Sequence, residues 1–367
     1  MNIKRNVYAA AAGLMAAYMA AATASAQNFM EYQYGATGGS VADVSVANLM
    51  PNWVVTGVTE GDADSSDQTL TTWESTGHAL VKRGVAHGPL LDNWGMVTVV
   101  LTPNLVVTGG MRQGSLRLTS WSISSTGAVT LGKTTLADEV QGLAMTRLDS
   151  GRVVVAALNN VGQLNISVWA VTPSSISLEG QINGIACNDL AIAALSSSQI
   201  VTAVQTASGD LQLESWSVND AGALTYLEDN SAGGIKQVSI TAWEAGHVAT
   251  AVINSLNDLE VIDWDVNPNT GVITRVSSAN VGAVSEVAVS TIGPLIFTAS
   301  VNSSGNVDAG VWGYSGPQLT AGDSAQREAA KGVLAVSLNP AGLQSVTASA
   351  NSAGNLQLDV WSGDYVP

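Results

Sequence analysis

Three aspartates fall within six residues of the stretch TEGDADSSDQT: Asp62, Asp64 and Asp67. Carboxylates at this spacing converge on a hard divalent cation, and calcium is the cofactor they would suit. The stretch departs from an EF-type calcium loop, because no Gly occupies the sixth position and Trp73 stands where the bidentate Glu belongs. A hydrated acidic loop is the plain alternative. In VAHGPLLDNW, read as a loop, His87 offers proton transfer, Asp92 a carboxylate and Trp94 an indole for stacking on a ring. In SAQREAAKG, read as a basic insertion, Arg327 and Lys331 offer cations to an acidic ligand beside Glu328. Cys187 is the single cysteine, so no internal disulfide forms. On the alternating stretch CNDLAIAAL, with no His nearby, it reads as a small buried apolar residue rather than a nucleophile.

What must position these groups is a repeat. LRLTSWSISSTGAVT (116–130) returns as LQLESWSVNDAGALT (211–225), and its Trp recurs at Trp73, Trp121, Trp169, Trp216, Trp264, Trp312 and Trp361. The spacing of 47 to 49 residues is that of a solenoid, propeller or array. Each unit contains short period-2 runs punctuated by Gly, Asn and Pro, which reads as four strands joined by hairpins. STGAVT, DAGALT and NTGVIT are the hairpin turns, with Gly supplying a positive φ. The last unit stops after its third strand, whereas FMEYQYGATGG reads as an orphan fourth strand at the beginning. If Phe29–Tyr34 pair with Leu356–Trp361, the ring closes and no exposed edge is left. The expected fold is therefore all-β: a seven-bladed β-propeller of four-stranded antiparallel blades, closed by the N-terminal strand. The Trp side chains fill the wedges between blades.

Strand order and Trp placement resemble the WD-repeat propellers and the wider superfamily of seven-bladed wheels. Asp follows Trp only at Trp264-Asp265, and no Gly-His dipeptide opens the repeats. The resemblance implies a wheel with a central channel and a ligand-bearing loop face, and carries over no active-site residue.

Residues 1–26 read as a signal peptide: a basic start, an Ala-rich apolar run and Ala24-Ser25-Ala26 as a cleavage site. Residues 27–367 are then the propeller, placed in the periplasm or outside the cell, with no membrane insertion after signal removal. The net charge of −16 argues against nucleic acid and anionic membranes. Charged residues make up only 11% of the chain, so Ser, Thr, Asn and Gly must cover much of the surface.

Aligning the innermost strands puts Asp43, Gly95, Gly142, Asp189, Gln237, Glu286 and Gly332 in one register, at one mouth of the channel. Asp189, Gln237 and Glu286 come from consecutive units and form an arc, with Asp43 across from it. Carboxylates crowded there are held by a metal or by raised pKa values. Two function classes follow, beside a purely structural role in an envelope assembly. The first is a secreted or periplasmic recognition or scaffold protein that binds a glycan or extracellular protein through its loop face. The alternative is a metal-assisted hydrolase, lactonase or lyase acting on sugar derivatives. In it Asp43, Asp189 and Glu286 hold the metal, and His87 shuttles a proton. The nucleophile elbow, zinc-helix, phosphate-loop and dinucleotide signatures are absent from the sequence.

Overall fold

The computed structural model describes residues 29–60, 65–92 and 95–364. Apart from one 3-10 turn at Pro340–Gly342, the regular structure among them is all strand, and no helix there is long and apolar enough to cross a membrane. The 1–26 segment, Asp62, Asp64 and Trp94 lie outside the described residues.

β2 (Asp43–Met50), β3 (Trp53–Thr59), β4 (Ser65–Ser75) and β5 (Leu80–Asp92) form an antiparallel meander behind β1 (Phe29–Ser40). β6 (Val97–Thr102), β7 (Leu105–Arg112) and β8 (Ser115–Ile123) form the next, completed by the first half of β9 (Val129–Arg147). The second half of β9 then opens a further sheet with β10 (Arg152–Asn159) and β11 (Gln163–Thr172). β12 (Ser175–Ser196) likewise leaves β11 at Ala186 and pairs from Cys187 with β13 (Gln199–Thr206), which is followed by β14 (Asp210–Val218). β15 (Leu224–Glu244) leads to β16 (His247–Asn254) and β17 (Asp258–Val266), and β18 (Ile273–Ile292) to β19 (Leu295–Asn302) and β20 (Asn306–Ser315). β21 (Gln318–Asn339) leads to β22 (Gln344–Asn351) and β23 (Asn355–Asp364). β1 pairs antiparallel with β23, from Phe29 opposite Asp364 to Ser40 opposite Asn355, and β2 packs against both β6 and β21.

Sequence punctuation suggests separate outer and inner strands. Instead β9, β12, β15, β18 and β21 run unbroken for 19 to 22 residues and serve two sheets each. Register shifts flank the crossing point, as between Cys187 and Asp189, and an irregularity of this kind bends a strand without a turn. The same continuity corrects two loop expectations. His87 and Asp92 lie in β5, and Arg327, Glu328 and Lys331 lie inside β21.

The core sits between neighbouring sheets. Trp264, for example, packs with Val248 and Ile262 of its own sheet against Val201, Ala203, Leu211 and Leu213 of the preceding one. All seven repeated Trp are buried. A buried indole N–H needs an acceptor. In six repeats a Thr two strands inward of the turn supplies it: Trp264 Nε1 donates to Thr250 Oγ1 at 3.0 Å and Trp312 to Thr298 at 2.8 Å. Val155 occupies this place beside Trp169, which donates instead to Ser167 Oγ at 2.8 Å. In four repeats the residue just before the Trp, Thr72, Ser120, Ser215 or Asp263, ties its sheet to the next. Thr72 Oγ1 donates to Gly127 O at 2.6 Å, and Ser215 Oγ to Gly271 O at 2.7 Å. Gly127 and Gly271 have φ of +85° and +77°, as their turns require.

Candidate functional site

The aligned polar residues at the start of the inner strands share one task. Asp43 takes Val44 N at 2.9 Å with Oδ1 and reaches across to Met96 N of the following sheet with Oδ2, at 2.7 Å. Asp189 repeats this with Leu190 N and Val238 N, both at 2.9 Å. Gln237 Oε1 accepts from Val287 N at 3.2 Å, and Glu286 Oε2 from Gly332 N at 2.6 Å and Val333 N at 3.1 Å. Each side chain thus receives a main-chain N–H from the next sheet and staples two inner strands together. Burial pushes the Asp43 and Asp189 carboxyls above their usual range, while these N–H donors pull the other way.

Asp189, Gln237 and Glu286 line one cleft of about 580 Å³, so the structure brings the expected arc together. Asp43, on β2, does not line it. Among the described residues no group of three His, Cys, Asp or Glu side chains is placed to hold a metal ion, which removes the three-carboxylate centre expected of Asp43, Asp189 and Glu286. The physical reason is the staple: oxygens aimed at backbone donors of the next strand do not converge on a shared point. The rest of the cleft comes from residues that the sequence reading passed over. Asn188, Lys236 and Ser285 each precede a staple residue and, by strand alternation, stand exposed. Lys236 Nζ donates to Asn257 Oδ1 in the turn between β16 and β17 of the same sheet. Their signal in the sequence was their place beside the inward-facing register.

The other expected residues lie apart. His87 is exposed on β5, bonds Thr69 Oγ1 through Nδ1 at 2.9 Å, and lines a separate groove of about 700 Å³ with Glu60 and Lys82. It does not share a cleft with Asp189 and Glu286. Asp92 faces Arg112 at 3.7 Å. Arg327 lies 4.1 Å over the Tyr32 ring and 3.8 Å from Asp359, so it braces β21 against the final sheet. Lys331 is exposed on β21, and Asp67 is exposed on β4 opposite Leu90. Cys187 is buried, and burial, with Glu214 and Asp189 nearby, pushes its thiol up to about 11.

Two buried acids were not legible beforehand. Asp263 is 0% exposed and accepts from Trp243 Nε1 at 2.9 Å, from His247 Nδ1 at 3.2 Å and from the Tyr314 hydroxyl of the next sheet. It stands where Ser215 and Thr72 stand in their sheets, and it joins neighbours by accepting rather than donating. Glu214 is 2% exposed, its Oε2 has no hydrogen-bond partner, and burial with the Asp229 carboxylate nearby pushes it up to about 7.

No protein-family model matches the sequence, and no curated protein matches it in sequence. Solved structures do match. The WD40 domain of coronin from Toxoplasma gondii aligns with a TM-score of 0.62 at 13% identity, over 93% of this chain and 87% of that one. Sqt1 from Chaetomium thermophilum, solved bound to the N-terminus of ribosomal protein L10, aligns at 0.53 and 15% identity, over 87% and 86%. A chain of the COPII outer coat vertex on membranes aligns at 0.58 and 15% identity, over 89% and 84%. At such identity the likeness fixes the fold alone. The chain is a β-propeller of WD-repeat-like blade architecture.

Proposed function

We propose that the protein is an exported recognition scaffold, a closed seven-bladed wheel that holds a partner protein at the mouth carrying Asn188, Lys236 and Asn257. The observation that carries this reading is the cleft built on the staple residues. Its carboxylates are occupied by backbone donors, whereas its exposed groups are amides, a hydroxyl and one ammonium. Such groups exchange hydrogen bonds with a peptide main chain or accept a carboxylate, and Asn188, Lys236 and Ser285 rest on strands, which keeps them in place. Support for a protein partner comes from the fold neighbours, since Sqt1 was solved holding a protein N-terminus and another neighbour belongs to an assembled coat. The pairing of β1 with β23 supports closure. The export signal read at residues 1–26 supports a periplasmic or extracellular setting.

The test compares wild type with the double variant Asn188→Ala, Lys236→Ala. Each is immobilised and exposed to cell-envelope proteins, with quantitative mass spectrometry of what is retained, and a glycan array is run in parallel. Retention of a defined protein by wild type, falling by about tenfold or more in the variant, is the expected result. Equal retention by both proteins, or retention of glycans alone, overturns the assignment of a protein partner to this mouth.

A further inference from the structure

A further cavity, of about 430 Å³, opens between β17–β18 and the sheet of β19, β20 and β21. Its size is that of a small-ligand site. One wall presents two polar rungs. Thr298, Gly310 and Ser324 lie opposite one another across the three strands, and so do Ser300, Asp308 and Gln326. The facing wall is small and apolar, with Leu259, Val281, Gly282 and Ala283.

Gly310 is the unusual member of this wall. Glycine inside a strand weakens it and marks a place where something approaches the backbone closely. For Gly57, Gly84, Gly109 and Gly180 that something is the protein itself, because an added Cβ would meet another atom at 2.2 to 2.4 Å. At Gly310 an added Cβ would meet nothing nearer than Thr298 Oγ1, at 3.5 Å. At the corresponding position of two other sheets stand Glu214 and Asp359, both buried. Here no side chain fills the space, and the cavity takes its place.

The polar groups around that space are oriented. Asn302 Oδ1 is held by Ser304 N at 2.9 Å and Asn306 N at 3.1 Å, which aims its Nδ2 at both Asp308 oxygens, at 3.2 Å each. The carboxylate is thereby fixed, with acceptor capacity left over on each oxygen. Among the described residues no Lys, Arg or His lines the cavity, and the Asp308 carboxylate repels an anion.

We propose that this cavity binds a neutral, hydroxyl-rich ring of the size of one sugar residue, beside the partner-binding mouth, with which it shares Val284 but none of the exposed groups Asn188, Lys236 and Asn257. Asp308 accepts hydrogen bonds from a pair of adjacent hydroxyls, Gln326 and Ser324 bond further hydroxyls along the rim, and the C–H face of the ring rests on Val281 and Ala283.

Titration of the purified chain with glucose, galactose, mannose and N-acetylglucosamine, followed by NMR and calorimetry, tests this. Gly310→Val fills the space with a good strand former, and Asp308→Asn keeps the shape but removes the charge. Saturable binding of at least one sugar is expected, falling about tenfold or more in either variant while melting stays near wild type. The Asn188→Ala, Lys236→Ala double variant keeps sugar affinity unchanged, which separates this site from the mouth. Failure of wild type to bind any of the four sugars overturns the proposal. So does binding that Gly310→Val leaves intact, or an Asp308-dependent preference for ethylammonium over all the sugars. Should Gly310→Val misfold, Asp308→Asn alone decides.

Discussion

Replacing Glu214 by Gln should flatten one part of the dependence of stability on pH. The carboxyl is buried, with one oxygen unpartnered, and it titrates in the folded protein at about 7 against an ordinary 4.5. Below about pH 4.5 the group is neutral in both folded and unfolded chains. As pH rises from there the unfolded chain releases its proton while the folded chain keeps it, so stability falls until the buried acid also ionises near 7. At about 1.4 kcal/mol per pH unit, the gap amounts to about 3 kcal/mol lost across that window. Asp43, Asp189, Asp308 and Asp359 are also pushed up by burial, so the profile of wild type alone does not isolate Glu214. The difference between wild type and Glu214→Gln does, since the other acids cancel. Urea unfolding at about pH 4 and about pH 8 gives four free energies. The wild type should lose about 3 kcal/mol more than the variant between the two conditions. Parallel losses in the two proteins would refute the argument, because they would mean that water or a cation reaches the Glu214 carboxylate.

The staples and the indole bonds are open to similar tests. Asp189→Ala leaves Val238 N–H and Leu190 N–H without their acceptor and should cost about 1–3 kcal/mol in urea unfolding, whereas Asp189→Asn, which keeps an acceptor oxygen, should cost less. Equal losses would show that one acceptor oxygen does not suffice, since Oδ1 and Oδ2 each hold a different N–H. Thr250→Val should cost about 1–2 kcal/mol, because Ile262 stands where Ser167 rescues Trp169 in the sheet that already carries Val155. Ile262→Ser removes a buried core side chain and is destabilising by itself, but it should cost less on the Thr250→Val background than alone, and the absence of such coupling would show that the Ser167 contact is incidental.

Much of the architecture was legible because it is periodic. The Trp spacing, the turn glycines such as Gly127 and Gly271, and the alternation around Trp264 all reflect local rules that recur along the chain. The arc of Asp189, Gln237 and Glu286 was legible for the same reason, since register fixes which inner-strand residues line one cleft. What those side chains do there was not, because an acceptor for the next strand's N–H and a metal ligand look identical in sequence. The unbroken run of β12 was hidden because a bulge, unlike a hairpin, demands no Gly or Pro. His87 and Glu286 were grouped by chemical usefulness, and only the folded coordinates place them in different clefts. Asp263 was missed because its partners Trp243, His247 and Tyr314 come from three strands and two sheets.

The strands that serve two sheets give the chain a form of proofreading. A slip of one residue in β12 would turn every side chain over in both of its halves, exposing Leu190 and Ile192 on one side of the crossing and misplacing Ile182 and Ile185 on the other. A single misalignment is therefore penalised twice, and correct pairing in one sheet dictates the starting frame of the next. β5, which ends at Asp92, and β6, which begins at Val97, are separate strands, so a slip in β5 carries no such second penalty.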